Sequence, residues 1–166
     1  MSIPAGVGIL VDIIIAFILI FSFLGGLKEG AAKEFFALLA LIIALALSGV
    51  FYGYVSSWLA FFSDATWRYF VGFLLTVGII MIILYLVFMI PRNLLEKVWN
   101  GGIIWNVLGG VFALLNSAIG LTVLVALLEA FPVLEWLSDV FLASNILNWL
   151  VSKLSYITLL IPGTVN

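Results

Sequence analysis

Residues 69–91 read YFVGFLLTVGIIMIILYLVFMIP, a run without a single charge, bounded by Arg68 and Arg92. A helix rises about 1.5 Å per residue, so about 20 apolar residues cross a hydrocarbon core about 30 Å thick. The run is long enough to do so, and so are the charge-free stretches 35–63 and 98–128. The stretch 13–27 reaches that length when Asp12 stands near its outer end. The pattern predicts an all-α, polytopic helical membrane protein with about four transmembrane helices and a C-terminal amphipathic or interfacial region.

The rest of the composition agrees. Of 166 residues, 66% are hydrophobic and only 8% charged, against about 25% charged in a soluble domain. A chain of this size cannot hide that much apolar surface in its own core, so the lipid bilayer is its expected solvent and first partner. A single membrane domain over 1–166 accounts for the length. Its spans are expected at about 7–24, 32–52, 70–90 and 106–128, with an amphipathic region at about 132–160. Met1 to Val11 contains no Lys or Arg. The first apolar run therefore reads as a retained span rather than a secretory signal, which would carry a basic leader.

The few charges exclude several functions. The net charge of -2 leaves no electrostatic footprint for nucleic acid. There is no histidine and no cysteine. The commonest general base is therefore missing, a Ser–His pair cannot be assembled, and a zinc site lacks its usual ligands. Gly25-Gly26 and Gly109-Gly110 lack the lysine and the strand–turn–helix setting of a phosphate loop. The expectation is a non-enzymatic protein with no catalytic residues, no metal ligands and no cofactor.

Charge also orients the chain. The connections after the first and third spans carry Lys28, Lys33, Arg92 and Lys97, while the opposite side holds Arg68 and Lys153. The positive-inside rule puts the first group in the cytoplasm and both termini outside. The first connection is expected around Gly25-Gly26 and Gly30, with Glu29 and Lys33 able to pair at i, i+4. Residues 53–63, with Tyr54 and Trp58, are expected along the interface. Pro91 is expected to end the third helix, leaving Arg92, Glu96 and Lys97 in a short loop.

Inside the spans the polar and small residues stand out. Asp12 lies in the first apolar helix and needs either the headgroup layer or a polar partner. Glu34 falls in the first turn of the second helix, where a carboxylate complements the helix dipole. Ala40, Ala44 and Ser48 form a small-residue ladder at i+4, as do Gly109, Ala113 and Ser117. Such ladders let backbones approach closely in lipid, within one chain or along a seam of a homo-oligomer. Asn116, in mid-helix, wants an interhelical hydrogen bond or lines a polar pathway. Thr76, Ser48 and Ser22 are expected to bond back to their own helix carbonyls.

The tail is different. Pro132 suits a helix start, and Glu135 and Asp139 face one way while Leu134, Leu137 and Phe141 face another. From Ser144 onward, Ile146, Leu147, Leu150, Val151, Leu154 and Ile157 make an apolar face. Asn145, Asn148, Ser152 and Ser155 make a narrow polar stripe. The segment reads as amphipathic and interfacial, or as a short fifth span. Its polar stripe is either a solvated face or part of a water-lined path.

These residues resemble the colicin V production protein (CvpA) family over about 12–160. Asp12 opens the first helix. Gly26-Leu27-Lys28-Glu29-Gly30 with the trailing Glu34 is similar to the family's G-x-x-x-G connection. Trp105-Asn106-Val107-Leu108-Gly109 is similar to its leucine–glycine opening of the fourth helix, and Ser144 followed by Leu147 to its late segment. Ala113 stands where the family usually has glycine, and Asn116 where a basic residue is common. The resemblance implies a bacterial inner-membrane protein of about four spans, tied to toxin (colicin V) production or export and to envelope homeostasis. Two molecular readings remain beneath it. One is an oligomeric pore or transport component. The other is a scaffold or anchor that recruits a membrane or periplasmic protein through the outer amphipathic segment.

Overall fold

The computed structural model describes residues 5–99 and 102–161. These form helices α1 (Ala5–Glu29), α2 (Ala31–Trp58), α3 (Ala65–Val98), α4 (Ile103–Ala130), α5 (Glu135–Leu142), α6 (Asn145–Lys153) and α7 (Ser155–Thr158), and no strand. The first four are long and apolar enough to cross a membrane.

All four spans outrun their expected limits. Gly25 and Gly26 lie inside α1, which stops only at Gly30, where φ is +84° and a side chain would be strained. That break redirects the chain into α2. The residues 53–58, expected along the interface, simply continue α2 to Trp58. Asp64 then caps α3 by accepting from the Thr66 N–H at 2.7 Å.

Pro91 does not end α3. The helix runs through it to Val98, so Arg92, Glu96 and Lys97 occupy its last turns rather than a loop. Proline removes one ladder bond and its ring needs room. Here it sits on an exposed face near the helix end, where little packing depends on it. At 34 residues α3 is about 51 Å long, well beyond the thickness of a hydrocarbon core.

The spans stand in a row, α1–α4–α2–α3. α4 packs on α1 and α2 and also receives α5, α6 and α7, whereas α3 leans almost entirely on α2. Two apolar cores follow from this order. One joins Leu45, Phe73, Ile119, Val123, Ala126, Leu127, Phe131 and Ile161; the other joins Val11, Ile15, Ala118, Val125, Leu147 and Leu150. The outer faces of α1 and α3 stay apolar and exposed, including Phe21, Ile82, Leu86 and Ile90. That is the surface lipid covers in a membrane protein.

Among the described residues, no helix of the tail is long enough to cross a membrane. α6 has nine residues and a length of about 14 Å, half a hydrocarbon core. It lies against α1 and α4 through buried Leu147 and Leu150. Pro132 stands three residues ahead of α5 rather than at its first position. The Glu135 side chain lies outside the described residues.

Candidate functional site

Several of the residues singled out in the sequence meet at two places along α1. The first is an acidic clasp. One Asp12 carboxylate oxygen accepts from the Ser144 hydroxyl at 2.5 Å and from the Ile146 N–H at 3.0 Å. The other lies 3.4 Å from the Asn145 amide nitrogen. Ser144 is the N-cap of α6, and its hydroxyl oxygen also accepts from the Leu147 N–H at 3.1 Å. Free N–H groups and the positive end of the helix dipole are what a carboxylate seeks. The polar partner that Asp12 requires is thus the start of α6.

Backbone contact brings the clasp together. Gly8 lies one turn before Asp12 on the same face of α1. A Cβ there would stand 2.3 Å from the Ala143 carbonyl oxygen. α1 therefore presents a flat patch and a carboxylate, and the 143–146 turn docks onto both.

The second place is the α1–α4 crossing. A Cβ on Gly26 would meet the Gly109 carbonyl oxygen at 2.4 Å and the Ala113 methyl at 2.5 Å. One on Gly109 would meet the Gly26 oxygen at 2.4 Å and the Gly30 carbonyl carbon at 2.7 Å. Further along the same faces the Ser22 and Ser117 hydroxyls hydrogen-bond at 2.5 Å. The ladder Gly109–Ala113–Ser117 is therefore occupied by α1 of the same chain. Ala40, Ala44 and Ser48 are likewise buried within the chain.

Two polar expectations change and two hold. Ser22 bonds across to α4 instead of back to its own helix. Ser48 is buried, and its hydroxyl has no hydrogen-bond partner among the described residues. Thr76 does bond back, to the Gly72 carbonyl at 2.6 Å. Asn116 makes the expected interhelical hydrogen bond, to the Glu34 carboxylate in the first turn of α2, while its own Oδ1 is buried with no partner among the described residues.

The polar stripe of α6 points away from the helices. Asn145, Asn148, Ser152 and Ser155 are exposed, together with Trp149 and Tyr156. The Asn148 amide donates to the Leu142 carbonyl at 2.8 Å, and the Ser152 hydroxyl to that of Trp149 at 2.7 Å. Asn116 lies next to Ser117, the partner of Ser22, ten residues and about 15 Å along α1 from Asp12. The stripe and Asn116 are therefore not neighbours within the chain.

Sequence reasoning had Ser144 only as part of a family pattern and missed its bond to Asp12. A buried serine three residues ahead of an apolar helical face is the N-cap signal that could have found it. Ser22 stood out as a hydroxyl within a span but nothing local marked Ser117 as its partner, and Gly8 and the Ile146 N–H carried no local signal.

Long apolar helices, an internal acidic clasp and a glycine-mediated crossing define a multi-pass helical membrane protein. The family model described as colicin V production protein matches residues 11–155, a span that holds both halves of the clasp and the crossing. The chain belongs to the colicin V production protein family. Among curated proteins and among solved structures, nothing matches the chain.

Proposed function

We propose that the chain serves colicin V production as a non-enzymatic scaffold in a bacterial inner membrane. Its spans hold α5 and α6 on the outer surface, where they engage a membrane or periplasmic protein. The observation that carries this reading is the clasp. It fixes α6 by its N-terminus and buries Leu147 and Leu150, while Asn145, Asn148, Trp149 and Ser152 stay exposed. An aromatic residue flanked by uncharged polar side chains on a fixed helix suits protein contact. The excess of Lys and Arg at the end bearing Lys28, Lys33, Arg92 and Lys97 supports placing that end in the cytoplasm and both termini outside.

A second reading, an oligomeric pore or transport component, draws on Asn116 beside Glu34 within the apolar spans. The open row of helices would then need further copies to enclose a path. The two readings separate on one pair of assays. Trp149→Ala with Asn148→Ala should reduce colicin V release from a producing strain while insertion and yield are unchanged. Proteoliposomes of the intact protein should leak ions no faster than empty vesicles. Normal release from the variant, or rapid leakage, would contradict the scaffold.

A further inference from the structure

The charged end of the row carries a second arrangement, remote from the clasp. An apolar groove of about 100 Å³ runs between α2 and α3, walled by Phe36, Ala37, Ala40, Met81, Tyr85 and Phe88. Lys33, Glu34 and Arg92 stand along it as well. Lys33 and Arg92 also line a separate, polar cavity of about 380 Å³ with Glu29, Glu96 and Trp99. The two spaces therefore share two cations. One is polar and charged, the other apolar and set against the flank of α3.

Arg92 is held ready rather than used up. Its guanidinium lies 5.3 Å from the centre of the Tyr85 ring. Its Nε is 3.2 Å from a Glu96 carboxylate oxygen, yet this buried nitrogen makes no hydrogen bond among the described residues. Lys33 pairs with Glu29 one turn away. The result is two facing ion pairs, Lys33–Glu29 and Arg92–Glu96, at the mouth of an apolar groove. Arginine donates bidentately to phosphate, and basic pockets between helices are where lipid headgroups bind.

We propose that this composite cavity is a binding site for an aminophospholipid. Its phosphate sits between Lys33 and Arg92, its ammonium faces Glu29 and Glu96, and one acyl chain enters the α2–α3 groove. The balance of charge selects this occupant. Lys28, Lys33 and Arg92 face Glu29 and Glu96 in the polar cavity, with Glu34 at the groove. A zwitterionic headgroup matches both signs, whereas a purely anionic one leaves the two carboxylates opposed. The groove needs a chain, so a soluble phosphate alone does not satisfy the site.

The test is native mass spectrometry of the full chain in detergent with phosphatidylethanolamine, phosphatidylglycerol or phosphatidylcholine added singly. Phosphatidylethanolamine should be retained best. Arg92→Gln with Lys33→Gln, which removes both cations from the phosphate, should reduce its bound fraction by at least about tenfold, the order lost with a single charge-assisted phosphate contact. Ala37→Phe, which fills the groove without touching the charges, should do the same, and Lys153→Gln, at the far end, should change nothing. Glycerophosphoethanolamine, which has the headgroup and no chains, should fail to compete. Equal retention of all three lipids, or full retention by the Ala37→Phe protein, would overturn the site. Stronger retention of phosphatidylglycerol would overturn the assignment of the amine. Helix content by circular dichroism confirms that each variant is folded, and Ala37→Phe still decides the matter where the charge variant is not.

Discussion

The Ser144 hydroxyl donates to the Asp12 carboxylate at 2.5 Å, across 132 positions of chain. The same carboxylate oxygen accepts from the Ile146 N–H, so a residue of the first span completes the cap of a helix near the C-terminus. A carboxylate that would be costly in hydrocarbon becomes the anchor of the tail.

Ser144→Ala removes the N-cap hydroxyl and one of the donors to Asp12. N-cap replacement costs about 1 kcal/mol. Amide hydrogen exchange at Leu147 and Asn148 should accelerate about fivefold, as a loss of that size implies. Exchange in α2 and α3, which the cap does not touch, should be unchanged. Asp12→Ala should loosen the same amides further, because it leaves the Ile146 N–H without its acceptor.

The α1–α4 crossing discriminates among glycines. Gly26→Ala and Gly109→Ala both force a methyl onto backbone at 2.4 Å. Each should destabilise the solubilised protein by about 1–3 kcal/mol, the range for overpacking. Gly25 and Gly120 have nothing within 4 Å of an added Cβ. Alanine there should be neutral or stabilise by up to about 1 kcal/mol, because helical glycine loses more backbone entropy. Thermal unfolding in detergent checks all four.

Ser22 and Ser117 meet through their hydroxyls at 2.5 Å. A double-mutant cycle of Ser22→Ala and Ser117→Ala should give a coupling of about 0.6 kcal/mol, typical of hydrogen bonds between helices in lipid. A coupling of zero would mean that the two helices do not meet at these residues.

The chain has no cysteine, so single cysteines report topology without background. In intact cells a membrane-impermeant maleimide should label Asn148→Cys and spare Val98→Cys, which lies at the basic end. The reverse pattern would invert the orientation.

The spans were readable because charge is so scarce that its gaps mark them. Their ends were not. Pro91 is a sound stop signal only where the helix it enters is otherwise weak, and α3 is carried past it by a continuous helical run on both sides. Gly25-Gly26 resembled a turn, but in lipid a glycine pair is as often a contact surface, and Gly26 is one. Asp12, Glu34, Asn116 and the glycines could each be singled out by their cost in hydrocarbon or by their size. Which of them meet could not be read, because α1 pairs with α4 and α6, far along the chain, and no local pattern records that order. Ser48 remains a buried hydroxyl without a partner among the described residues, and nothing in the structure explains it.

The central claim is that Asp12 docks α6 with one face in and the other out. The direct test is a cysteine scan of 145–153 in the otherwise intact, membrane-embedded chain, reading the rate of thiol modification at each position. The account predicts fast modification at 145, 148, 149 and 152 and protection at 147 and 150, with that protection lost when Asp12→Ala is added. Equal rates around the helix, or protection at 147 and 150 that survives the loss of Asp12, would contradict it.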